Sequence, residues 1–123
     1  MLSGAVAICN PYDLHAVDQN MEQRLFGVYH KFLGMNKIRT LKEHLDEIRT
    51  DMEKMIECKV ETAIKQVKNS RDFDSVFVSR AFGYSTAETM YRHASCVTRI
   101  SEIKTPTLFI SSLNDPIVMY QTW

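Results

Sequence analysis

Two short apolar runs, GAVAIC at Gly4–Cys9 and TLFIS at Thr107–Ser111, stand about ninety residues apart and constrain the fold more than anything between them. Asn10-Pro11 closes the first run; Pro106 precedes the second, and Asn114-Asp115-Pro116 follows it. Both are partly β-branched and apolar without strict alternation, the pattern of a strand covered on both faces and most often found in a parallel sheet. A buried helical turn is the alternative, weakened by the Pro and Asn residues that bracket each run. An isolated pair of strands is marginal in water, and a long crossover adds the cost of loop closure. The fold class is therefore α/β, and the pattern implies sheet neighbours that these 123 residues do not supply. The expectation is a segment of a larger α/β domain.

The region between the strands is mainly helical, without internal repeat or low-complexity tract. Met21, Leu25, Val28, Tyr29 and Phe32 recur at helical spacing, with Gly34 offering a stop. Leu41, Leu45, Ile48, Met52, Met55 and Ile56 form a second stripe opposite a charged face, and Val60, Ile64 and Val67 a third. Thr50-Asp51 is a candidate cap for a new helix start, which leaves open whether the last two stripes are one helix or two. NSRDFD, residues 69–74, is expected to break the pattern, and residues 86–95 to form a short helix capped by Thr86. The stripes are not strictly heptad, which disfavours a coiled coil or partner-binding surface, and methionine at this spacing reads as core packing rather than a lipid or cofactor groove.

Fifteen basic residues balance fifteen acidic ones, which removes the electrostatic footprint of a nucleic-acid binder or a polybasic membrane patch. No stretch reaches the ~18 apolar residues of a membrane span, and the N-terminus lacks the signal-peptide pattern. Membrane anchoring is expected only through regions outside this chain. Cys9, Cys58 and Cys96 share no CxxC spacing; they read as free thiols packed in the interior, in a reducing, intracellular compartment. His15, His30, His44 and His93 show no zinc-ligand spacing, so neither metal nor cofactor is expected. His30 and His44 read as exposed or half-exposed helix residues.

Asp13 and Asp115 each follow a predicted strand at the distance where open α/β sheets carry functional residues. The same stretches are also ordinary turn sequences. Pattern alone leaves both readings of Asp115 standing.

The order of motifs adds a resemblance. A strand leads into Pro11-Tyr12-Asp13-Leu14, then a helical insertion, then FDSVFVSRAFGYSTAETMYRHAS, then a Pro-led strand ending in Asp115-Pro116. This resembles the α/β-hydrolase fold from just after its nucleophile through its triad acid, and more closely the YheT-like branch, which includes lipid and acyl-ester hydrolases. Phe73-Asp74, Phe82-Gly83-Tyr84, Tyr91 and Ala94-Ser95 fall where that branch has like residues. Met90 and Asn114 depart from it, where a second Tyr and a second Asp are common.

The resemblance implies a partial α/β-hydrolase domain: a core strand and turn over 4–14, a helical cap over 15–95 that partly lines an acyl pocket, and a linker, core strand and acid loop over 96–123. It implies a serine hydrolase of carboxylic or lipid esters (acylglycerol, phospholipid or medium-chain acyl ester), with acyltransferase activity open as well. Asp115 would be the triad acid. In this fold the triad follows the order Ser, Asp, His, yet no GxSxG motif precedes Asp115 and no histidine follows it. The chain alone is therefore expected to be inactive. His93, two residues before Ser95, is disfavoured as a base by its place in the cap and its order before the acid. The competing reading is a non-catalytic helical interaction module, or a pseudo-hydrolase remnant that binds a protein partner.

Overall fold

The structure is a computed structural model that describes residues 2–120. Two strands, β1 (Ala5–Ile8) and β2 (Thr107–Ile110), pair in parallel with Ala5 opposite Thr107 and Ile8 opposite Ile110. The ladder is lengthened by Ala5 N–H to the Pro106 carbonyl at 2.9 Å and Cys9 N–H to the Ile110 carbonyl at 2.8 Å. Both strands and their parallel sense match the sequence expectation. Their covering does not: Val6 is 60%, Ile8 68% and Leu108 58% exposed. Among the described residues nothing screens most of this sheet from water.

The crossover is helical: α1 (Leu14–Gln23), a 3₁₀ turn (Arg24–Gly27), α2 (Val28–Glu43), α3 (Leu45–Ile56) and α4 (Val60–Ile64) come first. A longer helical run follows, from α5 (Ser70–Phe73) through a π turn (Asp74–Val78) to α6 (Ser79–Ala81), and then α7 (Ala87–Ala94) and a 3₁₀ turn (Val97–Glu102). Asp13 starts α1 by accepting from His15 N–H (2.9 Å) and Ala16 N–H (3.1 Å). Thr86 starts α7 as expected, its hydroxyl accepting from Thr89 N–H at 3.1 Å.

The first stripe is not one helix. Phe26 and Gly27 both take left-handed backbone angles (φ 55° and 72°), which ends α1 and turns the chain into α2. Val28 and Phe32 consequently face solvent, while Met21 is buried; the Leu25 side chain lies outside what is described. The turn lays α2 back on α1 and buries His30, against the expectation of exposure. His44 is exposed. The second and third stripes are separate helices, divided not at Thr50-Asp51 but at Glu57, which is left-handed (φ 57°). Cys58, in that turn, is exposed rather than interior; Cys9 and Cys96 are half-buried, and all three are free.

The larger core joins Leu41, Leu45, Val60, Ala63, Phe73 and Phe77, with Ile48 and Met52 packed against it. A smaller one holds Ala87, Met90 and Tyr91 under Leu14. The stripes are thus chiefly core.

Two expectations are corrected together. Gly34 does not stop a helix; it lies mid-way along α2, and a Cβ there would stand 2.5 Å from the Asn69 carbonyl carbon. NSRDFD does not end a helix but begins one. Asn69 Oδ1 accepts from Asp72 N–H (2.9 Å) while Asp72 Oδ2 accepts from Lys68 N–H (2.9 Å), a nearly reciprocal cap. From that start, Asp74 takes Lys37 Nζ on Oδ1 and Tyr91 Oη–H on Oδ2, both at 2.6 Å. Burial first, and the bond to Asp74 second, push the Tyr91 phenol above its ordinary pKa, so it stays a donor.

Arg71 reaches back to α1, giving Nη1 to Asp18 Oδ2 at 2.8 Å. His30 Nε2 donates to the Asp18 carbonyl at 3.1 Å and lies 3.2 Å from Asp18 Oδ1. Asp18 is almost wholly buried. Burial raises its carboxyl above the usual range, and Arg71 and His30 pull it part of the way back.

Three stability predictions follow from this packing. Gly34→Ala, which on an exposed helix would stabilise by up to ~1 kcal/mol, should here cost roughly 1–3 kcal/mol or more in urea denaturation, because backbone has no room to yield. Tyr91→Phe should cost about 1–3 kcal/mol, since Asp74 keeps its charge and loses a buried donor. A raised folded pKa means that the native state holds the Asp18 proton longer than the unfolded chain. Asp18 therefore contributes most below the ordinary value of 3.8, and that contribution is lost as pH rises through the higher folded value. Denaturation across acid pH should show this downward slope in the wild type relative to Asp18→Asn.

Candidate active site at the strand ends

Parallel pairing puts the carboxyl ends of both strands on one side, as an open α/β sheet requires for a site. Tyr12, just past β1, is buried and packs edge-on against Phe109 of β2, with ring centroids 5.4 Å apart and planes at 81°. Tyr12, Ile100, Phe109 and Ser111 line a cleft of about 290 Å3. The Tyr12 hydroxyl is buried and has no hydrogen-bond partner among the described residues.

Asp115 follows β2 and is half-buried. Its Oδ1 accepts from Ile117 N–H (2.8 Å) and Val118 N–H (2.9 Å), and its own N–H reaches the Ser112 carbonyl at 3.4 Å. Val118 and Met119 are buried directly behind it. These bonds fix the carboxylate through one oxygen; Oδ2 takes no hydrogen bond among the described residues. Asp13, the other strand-end acid, has the same local geometry but spends it on opening α1.

His93 and Ser95 do not form a reactive pair. His93 Nδ1 lies 3.0 Å from Tyr84 Oη. Ser95 Oγ donates to the Tyr91 carbonyl (2.6 Å) and accepts from Leu14 N–H (2.9 Å), so it latches α7 to the start of α1. Val97 N–H to the Tyr12 carbonyl, at 3.0 Å, makes a second latch. The motif residues Tyr12, Asp74, Tyr91 and Ser95 are in this way joined, and their visible work is to seat helices on the strand ends. Sequence reading did not find the Asp74–Lys37–Tyr91 and Asp18–His30–Arg71 clusters; the only local signal is the alternation of charges in Arg71-Asp72-Phe73-Asp74.

Among the described residues no group of three or more His, Cys, Asp or Glu side chains is placed to hold a metal ion. No helix there is long and apolar enough to cross a membrane.

The chain is 30% identical over 116 residues to the monoacylglycerol lipase of Saccharomyces cerevisiae, covering 93% of this chain and 25% of that protein. It is 29% identical over 133 residues to the medium-chain fatty acid ethyl ester synthase/esterase 2 of the same yeast, covering 95% of this chain and 30% of the relative. It is 27% identical over 124 residues to the Escherichia coli protein named as esterase YheT, covering 98% and 34%. No family model and no solved structure matches. The chain thus spans between about a quarter and a third of the length of these relatives. These likenesses run nearly end to end through the strand, signature and acid motifs, and on them the chain belongs to the α/β-hydrolase superfamily.

Proposed function

We propose that this chain is part of a serine hydrolase acting on carboxylic or lipid esters, with Asp115 as the acid of its triad. The reading is supported by relatives named as a lipase and esterases, aligned over more than nine-tenths of this chain. The single observation that carries the assignment of Asp115 is its carboxylate, fixed by two backbone N–H groups at a strand end with Oδ2 left over.

In the proposed mechanism a serine attacks the ester carbonyl and a histidine takes and returns the proton. Asp115 Oδ2 accepts from the imidazole Nδ1–H, holding the tautomer and stabilising the imidazolium. Strand and turn hold this carboxylate in place, so little ordering is needed when the imidazole docks. The serine and histidine come from polypeptide outside these 123 residues, and residues 15–95 form the cap. An acyl-enzyme intercepted by an alcohol rather than water gives transfer, the activity one relative's name pairs with esterase. A row of exposed apolar residues on α2, Val28, Phe32 and Met35, favours a second reading, in which the cap face binds a protein partner without catalysis.

Asp115→Asn in a longer hydrolase carrying this segment should cut ester turnover by roughly a thousandfold to ten-thousandfold, while the folded variant keeps its melting midpoint. This chain alone should show no ester hydrolysis above background. Undiminished turnover in Asp115→Asn removes that residue from its role. A chain that melts sharply by itself, hydrolyses nothing and exposes no dye-binding surface favours the interaction module.

A further inference from the structure

A second cleft, of about 260 Å3, lies where the turn between α1 and α2 meets the start of α5. Its wall includes Glu22, Gly27, His30, Lys31, Lys68 and Arg71. Three of these are cations brought from separate parts of the chain, against one acid. Lys31 and Lys68 are exposed and form no ion pair among the described residues. Arg71 gives Nη1 to Asp18. His30 is only 4% exposed; its Nε2 donates to the Asp18 carbonyl, and its Nδ1 is buried without a partner among the described residues. A buried ring nitrogen left unpaired calls for a physical reason. With both ring nitrogens protonated, the Asp18 carboxylate, 3.2 Å from Nε2, offsets the charge, and Nδ1–H lacks only an acceptor.

We infer that this cleft binds a phosphate-type oxyanion, free or as the phosphoryl group of a small molecule or lipid headgroup. Lys31 and Lys68 supply point charges at the mouth, and Arg71 the planar donors that suit a tetrahedral oxyanion. His30 forms part of the wall, its unpaired nitrogen available to a bound acceptor. The volume is below that of a drug-sized site and suits a small charged group. Glu22 sets a limit, disfavouring ligands with acidic substituents on its side. None of these residues takes part in the proposed ester chemistry, so the two readings stand or fall separately.

The test titrates inorganic phosphate into this chain at fixed ionic strength, against chloride, following the backbone amide resonances of Lys31, Lys68 and Arg71 by NMR. Saturable shifts confined to this region are expected. The double variant K31Q/K68Q, at two exposed positions outside the core, should weaken binding by roughly tenfold or more. A second arm measures co-sedimentation with phosphatidylcholine vesicles, with and without phosphatidic acid. Capture by the acidic vesicles that phosphate displaces and the double variant loses assigns a lipid headgroup. Phosphate binding without vesicle capture assigns a soluble ligand. Absence of both, or binding unchanged in K31Q/K68Q, overturns the site.

Discussion

The missing side chain at position 34 is the constraint on which the helical part depends. With only a hydrogen there, α2 lies against the backbone of Asn69, closer than any Cβ would allow. That contact seats the Asn69 cap and aims the next turn. Arg71 and Asp74, three residues apart and so on one side of the helix, then reach in opposite senses, to Asp18 on α1 and to Lys37 and Tyr91 on α2 and α7. Lys37 Nζ also sits 5.7 Å from the centre of the Phe73 ring. Buried charge pairs contribute little net stability against an apolar substitute, whereas breaking one is expensive. Their effect here is to select this arrangement of α1, α2, α5 and α7 over other packings of the same apolar stripes.

What was legible in the sequence is what repeats or punctuates locally. The two strands, the Thr86 cap and the stripe from Leu41 through Met52 needed only alternation, period and capping residues. The errors share one physical cause. Gly34 and NSRDFD carry the usual marks of a helix end, yet a glycine also serves close approach, and an Asn-x-x-Asp run also starts a helix. Which role applies is decided by a partner 35 residues away, since Gly34 and Asn69 answer each other. The same holds for Arg71 with Asp18 and for Asp74 with Lys37, whose separations of 53 and 37 residues leave no periodic trace. His30 was misjudged because its burial is produced by the left-handed pair Phe26 and Gly27, and Phe26 gives no warning of such a turn. At the candidate site, the position of Asp115 was readable from the chain; the backbone N–H groups that hold its Oδ1 were not.

The sheet and the helices are differently provisioned. The helical part has its own cores, with Val60 and Ala63 wholly buried. The sheet is a four-residue parallel pair, a structure too small to persist in water by itself, with valine, isoleucine and leucine left open. What anchors it is the Tyr12–Phe109 contact and the two latches through Ser95 and Val97. In the hydrolase reading, the open faces are where further strands and helices of a larger α/β body pack, and the latches are what keep the cap in register with the strand ends that bear the acid.

Asp13 and Asp115 make the final step of the argument sharp. Each follows one of two paired strands, and each accepts on Oδ1 from the N–H groups two and three residues on: 2.9 and 3.1 Å for Asp13, 2.8 and 2.9 Å for Asp115. Local geometry therefore does not separate a helix cap from a triad acid, since both need a carboxylate pinned through one oxygen. The difference lies in what surrounds the second oxygen. Around Asp13 the chain closes at once, with α1 starting beneath it and the Ser95 latch beside it. Around Asp115 the backbone turns into Val118 and Met119, which are buried and hold the loop from behind. A pinned carboxylate with its front oxygen unassigned is able to receive an N–H donor from another part of a protein. The imidazole of a hydrolase triad is such a donor, and family membership points to it rather than to a turn that merely ends a strand.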